Sequence, residues 1–415
     1  MRITDLHCMR LLGPRPHGGG GKPGTFSKLL VRIDTDEGSY GLGEAENMMG
    51  VKEGIEYLRA WLIGRDPMAV RPFFSEMLYG TVPPHPRFRV YDPIRFEKTY
   101  RPSLICSPTA TPTGPVIWAL SGVEMALLDL AGKILNTPVY NLLGGRYRDR
   151  IRIYLDRSAP EAVDDLDAWK KMAEDSVRDG FTQLKFDIDY TASDLVEDFW
   201  NRSIPLQQMN GMVRRLKSVR QTVGQDVELC VDCHMQYNVV DAVRLAQELA
   251  FLKLMWLEDP TPISNPQACA TVREKSPIAI CIGEMFIAEQ FRLFIDAKAC
   301  DIIHPDVLFC GGLQEGRRIA DYAELHYLPM AMHGNGGCLA TIAAAHLAAA
   351  TRNFLGLEYH FWEAQWVGRY VNREGVSLFK DGYLPLTDAP GFGVELNVEV
   401  CREHLAPGET LFSEP

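Results

Sequence analysis

The sequence predicts an α/β fold: a parallel barrel of the (β/α)7β kind, preceded by a smaller domain of strands and helices. Three observations predict it. After Arg150, eight short apolar runs alternate with seven helical patterns, which is the grammar of a parallel barrel. Three acids close such runs at equal intervals, at positions 232, 258 and 284: Asp232 in ELCVDC, Glu258 in MWLED and Glu284 in ICIGEMF. Before Arg150 that alternation is missing, and a hairpin pattern followed by helical patterns stands in its place.

Taken in order, TFSKLLVRIDTDEGSYGLGEA reads as a hairpin with its turn at Asp36-Glu37-Gly38. The stretch from Gly13 to Gly24 is too rich in glycine and proline for regular structure. It fails the phosphate-loop spacing because Pro23 follows Lys22, so it reads as a mobile loop able to close over a site. Helices are expected from Gly54 to Leu62 and from Pro67 to Leu78. Val82 to Pro115 carries eight prolines and reads as a long irregular insertion. Ile117 to Leu135 has apolar residues at helical spacing, stops at Asn136-Thr137-Pro138, and reads as a helix linking two domains.

The strands expected next are Ile151 to Leu155, Thr182 to Asp187, Glu228 to Cys233, Leu254 to Asp259, Ile278 to Ile282, Asp301 to Pro305, Leu328 to Met332 and Phe354 to Glu358. A doubly wound open sheet would gather its site at one switch point. Here polar residues end nearly every strand, which favours the barrel.

Composition narrows the function. A net charge of −11 in 415 residues argues against nucleic acid and against anionic lipid as partners. No uncharged apolar run reaches the length of a membrane span, and the first residues lack a secretory core. A cytoplasmic protein acting on a small molecule is the expectation. Ten cysteines scattered along the chain suit a reducing compartment. Cys230 and Cys233 match C-x-x-C, yet residues three apart on a strand point to opposite faces, which argues against a redox or zinc pair.

Side chains at the C-terminal ends of barrel strands share one mouth. Those positions hold Lys185 and Asp187, Asp232 and His234, Glu258, Glu284, Asp306, His333 and Glu358. Alternation puts Lys185 with Asp187 on one face, and Asp232 with His234. Three carboxylates on successive strands make a site for a hard divalent cation, Mg²⁺. Asp306, one strand before His333, supplies a carboxylate able to fix the imidazole tautomer and raise its basicity.

With those residues in place, the chain resembles the enolase superfamily, in its mandelate racemase and muconate lactonizing enzyme branch. The resemblance rests on ALSGVEMALLDLAGKILNTPVYNLLGG, on VDCH, WLEDP and IGEMF, and on PDVLFCGG followed by MAMHGNGG. It implies a modified TIM barrel, (β/α)7β, over residues 126–360, an α+β capping domain over 1–125, and a C-terminal segment 361–415 that returns to the cap. It also implies that Asp232, Glu258 and Glu284 hold Mg²⁺, that His333 is a base or acid paired with Asp306, and that Glu358 supports the substrate carboxylate. Lys185 matches the first lysine of a Lys-x-Lys motif, but Asp187 stands where the second lysine would be. His234 resembles the extra histidine of galactonate-type and mannonate-type sugar acid dehydratases.

The activity implied is Mg²⁺-dependent dehydration of a sugar acid, an aldonate or aldarate, to a 2-keto-3-deoxy sugar acid. In it, His333 takes the α-proton, and His234 or His333 protonates the departing hydroxyl. The alternatives are a racemase, epimerase or cycloisomerase of the same superfamily, or a silent regulatory homologue. A zinc hydrolase would need His-rich ligands, and no H-x-H motif is present. Met48 and Met49, with the Gly13 to Gly24 loop, are expected over the distal part of the substrate. Related enzymes imply a homo-oligomer.

Overall fold

A computed structural model describes residues 1–15, 24–79, 113–189, 200–360, 364–373 and 375–412. The first three strands, β1 (Ile3–Arg15), β2 (Gly24–Thr35) and β3 (Tyr40–Ala45), form an antiparallel sheet. The β2–β3 hairpin turns where expected: Gly38 adopts φ 81 and donates its N–H to Thr35 O. That left-handed conformation is open to glycine at little cost.

Part of the loop expected from Gly13 is strand. Gly13 pairs with Phe26 and Arg15 with Gly24, and the missing side chain at Gly13 has a cause. A Cβ there would lie 2.4 Å from the Trp366 ring, whose indole N–H donates to Pro14 O at 3.2 Å. Glycine fits there because an aromatic ring from the C-terminal segment occupies the space a side chain would need. The rest of that loop, and most of the proline-rich stretch, fall outside the described residues, although Pro115 starts a helix.

Helices Val51–Leu62 and Val70–Tyr79 follow. Helix Pro115–Ile134 then packs on the sheet through small residues. A Cβ on Gly41 would meet Ala126 O at 2.0 Å, and one on Gly43 would meet Gly122 O at 2.2 Å. By length and composition this helix could cross a membrane, but 83% of its apolar window is buried inside the protein. Its polar groups dock the barrel: Glu124 accepts the N–H groups of Leu313 and Gln314, and Ser121 Oγ accepts that of Gly311. Position 125 lies mid-helix, so the chain enters the barrel layer without a break there.

Eight parallel strands make the barrel: β4 (Arg150–Asp156), β5 (Gln183–Asp187), β6 (Glu228–Asp232), β7 (Trp256–Glu258), β8 (Ile280–Ile282), β9 (Ile302–Ile303), β10 (Met330–Met332) and β11 (Phe354–Tyr359). Pairing of β11 with β4, Leu357 opposite Ile153, closes it. Among the described residues seven α-helices connect the strands, giving (β/α)7β. The tail returns to the cap. Leu12 N–H bonds His404 O, and Ala406 N–H bonds Arg10 O.

The lumen is filled by one apolar layer of Tyr154, Cys230, Trp256, Cys281, Ile302 and Ala331. Because strand side chains alternate, the inward residue two positions further on rises to the mouth. That step leads from Tyr154 to Asp156, Cys230 to Asp232, Trp256 to Glu258, Ile302 to His304 and Ala331 to His333. Cys230 therefore faces the lumen, while Cys233 belongs to the outer core between strands and helices. The two thiols are not a pair.

Candidate active site and metal centre

The layer above the apolar plug is almost entirely ionisable. Asp232, Glu258 and Glu284 each bring a carboxylate oxygen within 4.8 Å of the others. Glu284 arrives by a different route from its two companions: Gly283, at φ 114, breaks the alternation and turns the next residue inward. A Cβ at Gly283 would lie 2.7 Å from the Phe291 ring. An all-oxygen, three-carboxylate set fits a hard cation and leaves room for substrate oxygens and water to complete its shell.

Lys185 lies under this cluster, fully buried. Its ammonium is 3.0 Å from Asp232 Oδ2, 2.7 Å from Glu258 Oε1, 2.5 Å from Glu358 Oε1 and 3.5 Å from Asp156 Oδ2. Burial alone would push the amine toward neutrality, but Asp232, Glu258, Glu358 and Asp156 outweigh it and hold its pKa well above the ordinary lysine value. The same contacts set the carboxylates. Burial raises Glu258, yet His304 and Lys185 overcome it and lower the group. Asp232 stays raised, by burial and by the charge of Glu258.

Two histidines flank the cluster. His333 Nδ1 is 2.7 Å from Asp306 Oδ2, and its Nε2 is 3.3 Å from Glu284 Oε2 and 3.8 Å from Glu358 Oε2. Its ring stacks on Phe309, with centroids 5.9 Å apart. Burial lowers the imidazolium, but Glu284, Glu358 and Asp306 together bring the pKa up to about 10. On the other side, His234 Nε2 is 3.7 Å from Asp232 Oδ2, while its Nδ1 is 3.1 Å from Asp189 Oδ2. Here burial is outweighed by Asp232, Asp189 and Asp187, and the pKa is pushed up to about 12.

His234 does not reach the mouth by strand alternation as expected. Strand β6 ends at Asp232, and His234 and Met235 adopt φ 43 and 61. The turn is held by the His234 N–H, which donates to Asp232 Oδ1 at 2.9 Å. Asp187 pairs in register with Asp232, is buried, and keeps Oδ1 without a hydrogen-bond partner among the described residues. Burial, with Asp156 and Asp232 beside it, raises its pKa well above the usual carboxylate range. Glu358 accepts from Tyr154 Oη at 3.2 Å and from Gly334 N–H at 3.2 Å.

Four residues at the mouth were not foreseen. His304 is wholly buried, with Nδ1 2.9 Å from Ala331 O and Nε2 3.1 Å from Glu258 Oε1. Burial works against a charge on this ring, but Glu258 and Glu358 outweigh it and raise the His304 pKa above its ordinary value. His360 bridges Asp156 at 3.3 Å and Glu358 at 3.4 Å. Asp189 is the fourth residue, after Asp156, His304 and His360.

The cap contributes to the mouth from above. Lys28 Nζ donates to Asn335 O at 2.8 Å, Glu46 accepts from Asn335 Nδ2 at 2.9 Å, and the Asn335 N–H donates to Asp306 at 3.1 Å. Glu44 accepts the Gly337 and Ala340 N–H groups at the start of helix Cys338–Ala350 and the Tyr370 hydroxyl. Met48 and Met49, just beyond Glu46, are 54% and 94% exposed.

The chain is similar to known proteins over most of its length. Residues 168–400 match the enolase C-terminal domain-like family, and residues 22–144 match the mandelate racemase / muconate lactonizing enzyme N-terminal domain. A D-xylonate dehydratase of Haloferax volcanii is 32% identical over 397 residues, 94% of this chain and 88% of that one. A D-galactonate dehydratase family member of Oceanicola granulosus is 28% identical, over 98% and 96% of the two chains. The crystal structure of a mandelate racemase/muconate lactonizing enzyme-like protein from Rubrobacter xylanophilus superposes with a TM-score of 0.83 at 32% identity, covering 99% of each chain.

Proposed function

Since the chain belongs to the mandelate racemase/muconate lactonizing enzyme branch of the enolase superfamily and is a hydro-lyase of the sugar acid dehydratase type, we propose that it dehydrates a five- or six-carbon aldonate to a 2-keto-3-deoxy acid with Mg²⁺. One observation carries this reading. Two imidazoles, each held at Nδ1 by a carboxylate, aim Nε2 at opposite members of one three-carboxylate cluster.

His333 in its neutral form takes the proton beside the substrate carboxylate at Nε2, and Asp306, holding Nδ1–H, stabilises the imidazolium that forms. The electron pair left on the substrate spreads into its carboxylate. Mg²⁺ held by Asp232, Glu258 and Glu284 would supply positive charge to those carboxylate oxygens. Lys185 holds Asp232 and Glu258 from below, and His304 lies against Glu258. Loss of the β-hydroxyl then needs a proton at its oxygen, and His234 stands across the cluster from His333 to give it. A general base alone contributes about 10²- to 10⁴-fold, so charge stabilisation must supply the remainder of a rate enhancement of 10⁶-fold or more. Asp187 in place of a second lysine argues against a lysine-and-histidine two-base racemisation. The homologue names favour D-xylonate and D-galactonate as first substrates to try.

The test is incubation with a panel of aldonates and Mg²⁺, reading 2-keto product as its semicarbazone. Product from at least one aldonate is the expected result. Epimerised acid without 2-keto product would overturn the reading.

A further inference from the structure

Asp189 belongs to none of the motifs that carry the family resemblance, yet both of its carboxylate oxygens face one imidazole nitrogen: Oδ1 is 3.2 Å and Oδ2 3.1 Å from His234 Nδ1. His234 leaves its strand at φ 43, so the strand's alternation does not set the direction of its side chain. The backbone contact to Asp232 fixes only the main chain. With Nδ1 turned to Asp189, Nε2 points inward, 3.7 Å from Asp232 Oδ2. The arrangement repeats, on the opposite side of the cluster, the pairing of Asp306 with His333, where Nδ1 is held and Nε2 faces Glu284.

We infer that Asp189 is a positioning residue that orients His234 as a dedicated proton donor to the leaving hydroxyl, separate from the base His333. This deepens the dehydratase reading and rests on it. In the step assigned to the pair, the Nε2 proton of His234 moves to the β-oxygen. The C–O bond breaks with its electrons going to oxygen, and water leaves. The electron pair released when His333 took the α-proton becomes the new C–C π bond. The resulting enol loses its hydroxyl proton as C3 gains one, and exchange with solvent resets both imidazoles.

Because the two imidazoles serve different steps, they can be separated by experiment. The full-length chain with Mg²⁺ is compared with Asp189→Asn in D₂O, using D-xylonate, D-galactonate or whichever aldonate the wild type dehydrates fastest. Deuterium entry at the α-carbon of recovered substrate reports His333, and 2-keto product reports the pair. The expected result is a fall of about 10²- to 10⁴-fold in product with α-exchange within about threefold of wild type, and recovery of at least tenfold in Asp189→Glu. Equal loss of both readouts in a variant that melts like the wild type would overturn the inference, because a structural role moves both. Unchanged product formation would overturn it too. Should Asp189→Asn not fold, Asp189→Glu alone decides: wild-type exchange with reduced product supports the pair, and parallel loss rejects it. If the wild type itself gives exchange but no 2-keto product from any aldonate, the dehydratase reading fails, and the inference with it.

Discussion

His333 Nδ1 lies 2.7 Å from Asp306 Oδ2, and the same carboxylate oxygen accepts the Asn335 N–H at 3.1 Å. The base is thus tied through Asn335 to Lys28 and Glu46 of the cap. Asp306→Asn replaces one acceptor by a donor and favours the wrong imidazole tautomer. α-Proton exchange in D₂O should fall by about 10²- to 10⁴-fold, with the melting temperature close to wild type. Exchange at the wild-type rate would remove Asp306 from the base.

The three-carboxylate cluster makes a prediction independent of turnover. A ligand that binds only the folded chain stabilises it by about 2.7 kcal/mol at a hundred times its Kd. Mg²⁺ should therefore raise the melting temperature of the wild type, and Glu284→Gln should lose that rise. Glu284 is the most solvent-accessible of the three side chains, at 12%, and replacing it disturbs the buried floor least. An equal Mg²⁺ shift in the variant would place the ion elsewhere.

Gly43 tests how the long helix meets the cap sheet. A Cβ there would sit 2.2 Å from Gly122 O and 2.8 Å from Ala126 N, both backbone atoms that cannot swing aside. Gly43→Ala should cost about 1–3 kcal/mol, read as a lower urea midpoint. A neutral result would mean that the helix slides without penalty.

The barrel was legible because its period is simple. Alternating apolar runs and helical stretches placed all eight strands, and equal spacing exposed Asp232, Glu258 and Glu284. His304, His360 and Asp156 obey the same alternation: His304 precedes Asp306 by two, His360 follows Glu358 by two, and Asp156 follows Tyr154 by two. They stayed hidden where each strand end was read at too few positions. Asp189 likewise follows Asp187 by two, but the orientation of His234 had no such signal, because a left-handed turn decides it. The strand character of Gly13 was masked by its glycine-rich neighbours, and its cause, the Trp366 ring, lies more than three hundred residues away.

His346 gives a pH dependence remote from the site. It is buried on helix Cys338–Ala350, stacks on Tyr140 with centroids 5.4 Å apart, and its Nδ1 accepts the Tyr140 N–H at 3.1 Å. Burial therefore lowers its pKa from 6.5 to about 3. Between those values the unfolded chain binds a proton that the folded chain refuses. The contribution is fully present above pH 6.5 and is lost as pH falls toward 3, with a slope of up to about 1.4 kcal/mol per pH unit. Carboxylates add slopes of their own, so the difference between proteins is the measurement. Urea titrations from pH 7 to 4 should show a steeper loss of stability in the wild type than in His346→Gln, whose amide oxygen can still accept from Tyr140. Parallel curves would show that His346 takes its proton without unfolding.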